Sequence, residues 1–146
     1  MPKLIPDDLP IPQDVEQLEE ILSRPPPAVV EAIGAFGGDI MFLGVGGKMG
    51  PTMARMAKRA IDLAGSKSQV LGVSRFRDRS ARERLEEWGI RTIACDLMNE
   101  REVSKLPDAA NVVSMSGFKF GASDQPELAW AANCYIPALI CRRYQD

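Results

Sequence analysis

The feature that most constrains this chain is a junction. Four consecutive apolar residues, Ile40-Met41-Phe42-Leu43, run directly into Gly44-Val45-Gly46-Gly47-Lys48-Met49-Gly50, and an amphipathic stretch begins at once. An unbroken apolar run of this length suits a strand buried on both faces, as in a parallel sheet. In the stretch that follows, Met49, Met53, Met56, Ala57, Ala60, Ile61 and Ala64 recur at helical spacing, with Arg55, Lys58 and Arg59 opposite and Gly65 as the stop. Strand, glycine turn and helix in this order turn the free N–H groups of the first helical turn towards an anion. The spacing is GxxGxxG: Gly44 permits the tight turn, Gly47 a close approach of backbone to a pyrophosphate, and Gly50 close packing of helix on strand. Lys48 and Met49 complete the loop, Lys48 reaching the pyrophosphate with its ammonium or offering only its N–H. Dinucleotide binding is therefore expected.

The remainder alternates strand and helix. Val70-Leu71-Gly72-Val73 reads as the second strand, 80–88 as a charged helix closed by Gly89, and 90–95 as the third strand. A short helix over 99–105, with Val103 and Leu106 inward, leads to a fourth strand over 111–115, and a last helix starts near Pro126. Pro137 removes the amide that would bond to the Asn133 carbonyl, at a cost on the order of 3 kcal/mol in an uninterrupted helix, so a kink or break is expected there. The fold class is α/β, a Rossmann-type parallel sheet of order 3-2-1-4 over residues 39–146. Such sheets usually continue past a fourth strand, so the domain is expected to be truncated, with the edge of strand 4 open unless the arm or another chain covers it. Residues 1–38 form that arm. Prolines at 2, 6, 10, 12, 25, 26 and 27 interrupt it. Pro12 opens a helix bearing Val15, Leu18, Ile21 and Leu22, and a second carries Val29, Val30, Ile33 and Phe36 up to Gly37-Gly38.

Composition excludes several chemistries. The 146 residues contain 18 Lys+Arg, 20 Asp+Glu and no His, which rules out Ser-His-Asp and Cys-His catalysis and His-ligated metals. Cys95, Cys134 and Cys141 form no CxxC pair and read as buried small hydrophobes of a reducing cytoplasm. No apolar run approaches the roughly 18 residues of a membrane span. Residues 75–84 hold five Arg against two acids, but Phe76 alone offers a stacking surface, so no nucleic-acid partner is expected. Trp88, Trp130 and Tyr135 read as packing residues. Lys119, between Gly117 and Gly121, sits either in a mobile substrate-side loop or in a plain surface loop.

With the glycine motif, further residues carry a resemblance. Asp96-Leu97 after strand 3, Ser116-Gly117 after strand 4 and Asn133 in the following helix are similar to the pattern of the extended short-chain dehydrogenases/reductases, the NAD-dependent epimerase/dehydratase family. The resemblance covers residue 39 to the C-terminus. It implies that Asp96 and Leu97 line the adenine, that Ser116 and Gly117 line the inner ribose, that Asn133 belongs to the cofactor site, and that two copies pair through the C-terminal helix. An acid at the end of strand 2 would bind the ribose 2′-OH of NAD, but Ser74-Arg75 stands there and suits a 2′-phosphate, so NADP is preferred to NAD. The Tyr-x-x-x-Lys pair on which the family's chemistry depends is missing: Leu139 follows Tyr135 four positions on, and Tyr144 precedes only Gln145 and Asp146. The expectation is the NAD(P)-binding portion of an epimerase/dehydratase-like oxidoreductase, inactive alone. The alternative is a non-catalytic dinucleotide-sensing or interaction module.

Overall fold

The structure, a computed structural model, describes residues 11–118 and 123–145. Lys119 and Gly121 lie outside the described residues, as do the prolines at 2, 6 and 10. The elements in chain order are α1 (Val15–Leu22), α2 (Pro27–Phe36), β1 (Ile40–Leu43), α3 (Gly50–Leu63), β2 (Val70–Ser74), α4 (Arg79–Glu87), β3 (Arg91–Ala94), α5 (Glu100–Val103), β4 (Asn111–Ser114), α6 (Pro126–Trp130) and α7 (Ile136–Arg143). A π-helical turn, Ala131–Tyr135, joins the last two. The four strands pair in parallel in the order β3-β2-β1-β4, as the alternation of strands and helices predicts.

β1 is wholly buried because it feeds two cores. Ile40 and Phe42 join Ala54, Ala57 and Ile61 of α3 and Leu85 of α4 on one face. Met41 and Leu43 join Val103, Ile136 and Ile140 of α5 and α7 on the other. The period-2 alternation of a strand thus divides one apolar run between two helical layers. Each fully buried side chain of this size contributes about 1.5–3 kcal/mol, which makes β1 the centre of stability.

On α3 the inward stripe is Gly50, Ala54, Ala57, Ala60 and Ile61, smaller than expected. Met49, Met53 and Ala64, assigned to that stripe from sequence, are exposed, because the helix turns its alanines towards the sheet for a closer approach. Cys95 is buried as expected, whereas Cys134 and Cys141 are exposed. Trp130 and Tyr135 are also exposed rather than packed, since Ala132, Ile136, Leu139 and Ile140 already fill the inner side of that helical run. The π turn falls immediately before Pro137, where the missing amide relaxes the α-helical bonding pattern.

The arm departs most from expectation. α1 begins at Val15, not near Pro12, because the Asp14 carboxylate caps it by accepting from Gln17 N at 2.7 Å. Its apolar residues Val15, Leu18 and Leu22 are exposed, as is Phe36 of α2. α1 docks by its polar edge instead. Glu20 pairs with Arg59 and, at 3.0 Å, with Arg55, and Glu19 meets Arg84 at 3.2 Å. The buried Ser23 hydroxyl accepts from Arg59 at 2.9 Å. Arg55 and Arg84 lie 4.4 and 5.3 Å from the Trp88 ring centroid, so the half-buried indole and these cations extend the latch to α4. The arm therefore rests on the α3 side of the sheet. Next to β4 the arm contributes Gly37, whose carbonyl accepts from Asn111 Nδ2 at 3.0 Å, while Asp39, just beyond the arm, accepts from Asn111 N. Among the described residues β4 pairs with β1 alone.

A hydrogen bond from Arg59 holds the Glu20 carboxyl below the ordinary value of 4.5, against the opposing effect of burial and with help from the charges of Arg59, Arg55 and Arg24. A carboxyl with a depressed folded pKa contributes its stability in full above the unfolded value and loses it as pH falls through the folded value. The protection of α1 amides against hydrogen exchange, relative to their intrinsic rate at the same pH, should therefore fall below about pH 4.5 and with added salt, while β1 amides stay protected. Glu20→Gln should lower the protection factors of α1 amides to a level that no longer changes with pH in this range.

Candidate functional site

The order β3-β2-β1-β4 reverses direction at β1, and the turns after β1 and β4 part there at the carboxyl ends of the strands, where open α/β sheets hold ligands. The two turns nearly touch: a Cβ on Gly44 would lie 2.9 Å from Ser116 N, and Gly44 has φ 89, which favours glycine. The cleft between them has a volume of about 490 Å³, in the range of small-molecule sites.

Each glycine of the turn has a separate physical reason. A Cβ on Gly50 would lie 2.1 Å from Val45 O, so α3 can start directly on the turn only with hydrogen at that position. Gly46 faces β2, where a Cβ would lie 2.5 Å from Ser74 Oγ. Gly47 differs, since the nearest protein atom to its Cβ would be Gly44 O at 3.4 Å, an ordinary contact. Nothing in the protein excludes a side chain there, and the open space suits a ligand. Gly44 N and Val45 N donate to Val73 O, Gly47 N to Gly44 O and Gly50 N to Gly47 O. The N–H groups of Gly46, Lys48 and Met49 have no acceptor among the described residues, and no side chain caps α3. These unpaired donors at the start of a fourteen-residue helix form an anion cradle.

Of the residues expected from sequence, the cleft brings together Gly44 and Gly47 of the turn, Ser74 and Arg75 at the end of β2, Asp96 and Leu97 after β3, and Ser116 and Gly117 after β4. Lys48 and Met49 have exposed side chains outside the lining, and Gly50 is buried beneath it. Asn133 is also outside. Its Oδ1 accepts from Phe118 N at 3.1 Å and its Nδ2 donates to Phe118 O at 2.9 Å, so it clamps the loop that follows Gly117. The π turn carries that amide towards the loop. Asp96 accepts from Met98 N at 3.0 Å, and Asp96 N donates to Glu102 Oε2 at 2.8 Å. It therefore starts the turn into α5 and lines the cleft at once.

Sequence reasoning missed Gly46, Arg77, Cys95 and the apolar wall of Phe118, Leu128 and Ile136. For Gly46 the Gly44-Val45-Gly46 spacing was the available signal; for Arg77 it was the repeated arginine two positions after Arg75. The wall comes from distant elements and has no local signal. Burial, with smaller effects from Glu102 and Asp96, pushes the Cys95 thiol up to about 11, so it stays protonated and lines the cleft as an apolar group. Among the described residues no group of three or more Cys, Asp or Glu side chains is placed to hold a metal ion.

The arginine-rich segment divides into two sets. Arg79 meets Glu83 at 2.7 Å, Arg82 meets Glu86 at 2.9 Å, and Arg84 meets Glu19. Arg75 and Arg77 have no carboxylate partner among the described residues, and both line the cleft.

No model of a known protein family matches this chain, and no curated protein matches it.

Two glycine substitutions separate the structural role from the ligand role. Gly50→Ala should destabilise the fold by about 3 kcal/mol or more in urea unfolding, since the methyl group would meet backbone that cannot yield. Gly47→Ala should stay within about 0.5 kcal/mol of wild type, because the nearest protein atom, Gly44 O, would lie 3.4 Å from the new methyl group.

Proposed function

We propose that this chain binds a dinucleotide in the cleft at the β1/β4 divergence, with NADP preferred to NAD, as the cofactor-binding portion of an epimerase/dehydratase-like oxidoreductase. The observation that carries the reading is the convergence on one cleft of the glycine turn, whose Gly46 N–H has no acceptor among the described residues, and of two arginines with no carboxylate partner among them. A dinucleotide has matching charges at matching places, a pyrophosphate in its middle and, in NADP, a phosphate on the adenosine ribose. The N–H groups of Gly46, Lys48 and Met49 would hold the first, and Ser74 with Arg75 the second. Leu97 and the free carboxylate oxygen of Asp96 would bound the adenine. Ser116 and Gly117 would line the inner ribose, and Asn133 serves the site by fixing the Phe118 loop.

Such a cofactor, when bound, exchanges a hydride with a substrate carbon. This chain's own contribution is binding and orientation. Of its two tyrosines, Tyr135 is exposed and Tyr144 donates to Pro107 O at 3.0 Å, with burial raising its pKa, so neither serves as a proton donor in the cleft. That observation favours binding without turnover, and with it the second reading, a non-catalytic dinucleotide sensor. Tyr-x-x-x-Lys in sequence continuing beyond Asp146 would decide for the enzyme. The exposed Trp130 and Tyr135 support pairing of two copies through the C-terminal helical run. The absence of any described helix long and apolar enough to cross a membrane and the three unpaired cysteines are compatible with a reducing cytoplasm.

Calorimetric titration with NADPH and NADH tests the proposal. Wild type should bind NADPH more tightly by about ten- to a hundredfold, the value of one or two charge-assisted hydrogen bonds, and Arg75→Asp should invert the preference. Binding of neither nucleotide at millimolar concentration would refute it.

A further inference from the structure

Phe76 is the single non-glycine residue among those described with a left-handed backbone, at φ 45. In that region Cβ crowds the following carbonyl, and glycine, asparagine or aspartate is the usual occupant. An aromatic residue stays there only where its surroundings over-determine it. Here the surroundings are visible. The half-buried ring packs against the core that α3 and α4 share, and the Arg82 guanidinium lies over it, 5.8 Å from the centroid.

The flanking residues are the two arginines with no carboxylate partner among the described residues. Arg75 and Arg77 line the main cleft and also an adjoining recess of about 250 Å³, whose wall includes Gly46, Ser74 and Ala81. Asp78 reaches the same recess, but its Oδ1 is engaged by Ser80 N at 2.9 Å and Ser80 Oγ at 2.8 Å, where it caps α4. An extended residue 76 would continue the direction of β2 and carry Arg77 about 6–7 Å further along it. The left-handed turn instead keeps Arg77 beside the end of the strand, on the same recess as Arg75.

We infer that Phe76 is a positioning residue whose left-handed turn, anchored by its ring, holds Arg75 and Arg77 around one recess that takes a phosphate monoester, the 2′-phosphate of the bound nucleotide. The inference rests on the dinucleotide reading above and adds Phe76, Arg77 and Gly46 to it. Two guanidinium groups and the Ser74 hydroxyl offer donors to all three terminal oxygens of a monoester dianion. Gly46 keeps that hydroxyl accessible, since any side chain there would collide with it.

The test compares adenosine 2′,5′-bisphosphate with 5′-AMP by calorimetry on the full chain, with circular dichroism as the check on folding. Wild type should prefer the bisphosphate by about tenfold or more. Phe76→Gly retains access to positive φ but lacks the anchor; it should bring the two affinities within about twofold of each other while leaving 5′-AMP binding unchanged. Phe76→Tyr should keep the wild-type ratio. A merely structural residue would weaken both ligands alike, so an unchanged ratio in Phe76→Gly overturns the inference. Equal binding of both ligands by wild type also overturns it and leaves the dinucleotide reading standing. Failure of both ligands together with NADPH and NADH overturns both.

Discussion

The contact on which the rest depends is the meeting of α3 with the turn after β1. Because Gly50 has no side chain, the helix starts on top of Val45, and a single methyl group would fall 2.1 Å from the Val45 carbonyl oxygen. Val45 is in turn fully buried, and it lies over Gly72 of β2, where an added Cβ would meet its Cγ1 at 3.1 Å. Helix, turn and second strand are thus stacked through three positions that admit no more volume. The same stacking leaves the N–H groups of residues 46, 48 and 49 without an acceptor among the described residues. Close packing and the free N–H groups at this point have one cause.

Charge is distributed with similar economy. The segment 75–84 resembles a uniformly solvated basic helix start when read in sequence, yet its arginines do different work. Those at 79, 82 and 84 are matched by glutamates one helical turn away or on the arm. Exposed pairs of this kind are each worth about 0–1 kcal/mol, so they tune the surface without deciding the fold. The arginines at 75 and 77 precede the cap of α4 and lie on the cleft side of the sheet, where an anionic ligand would supply the missing counter-charge.

The arm illustrates how magnitudes separate fold from attachment. α1 is held by Glu19, Glu20 and Ser23 through a few partly exposed polar contacts, while β1 and its two cores bury many apolar side chains worth about 1.5–3 kcal/mol each. Release of α1 and unfolding of the sheet are consequently separate events. The outward stripe of Val15, Leu18 and Leu22 follows from the same choice of docking edge, since a helix bound through its glutamates turns its apolar side to solvent.

Local pattern carried the architecture a long way. The apolar run of β1, the glycines that end α3 and α4, and the proline beside the π turn act within a few residues of themselves, so strand order 3-2-1-4 and eight of the seventeen cleft-lining residues could be read from the chain. What the sequence could not reveal was the rotation of each helix about its axis and the partner of each charge that reaches across segments, such as Arg84 with Glu19. Met49 and Met53 have helical spacing but turn away from the sheet; Asn133 faces a backbone loop fifteen residues earlier; Arg77 stands before the Asp78 cap of α4, whereas Arg79 lies inside that helix, one turn from Glu83. Periodicity specifies that a stripe exists, whereas its direction depends on which neighbour packs most closely, and that is settled when the alanines of α3 meet the sheet. The sequence by itself determined the strands, the glycine turn and the helical spacing that pairs Arg79 with Glu83 and Arg82 with Glu86; the tertiary structure alone decided that Arg84 meets Glu19 of the arm while Arg75 and Arg77 have no carboxylate partner among the described residues, because those outcomes depend on distances between segments that no local pattern encodes.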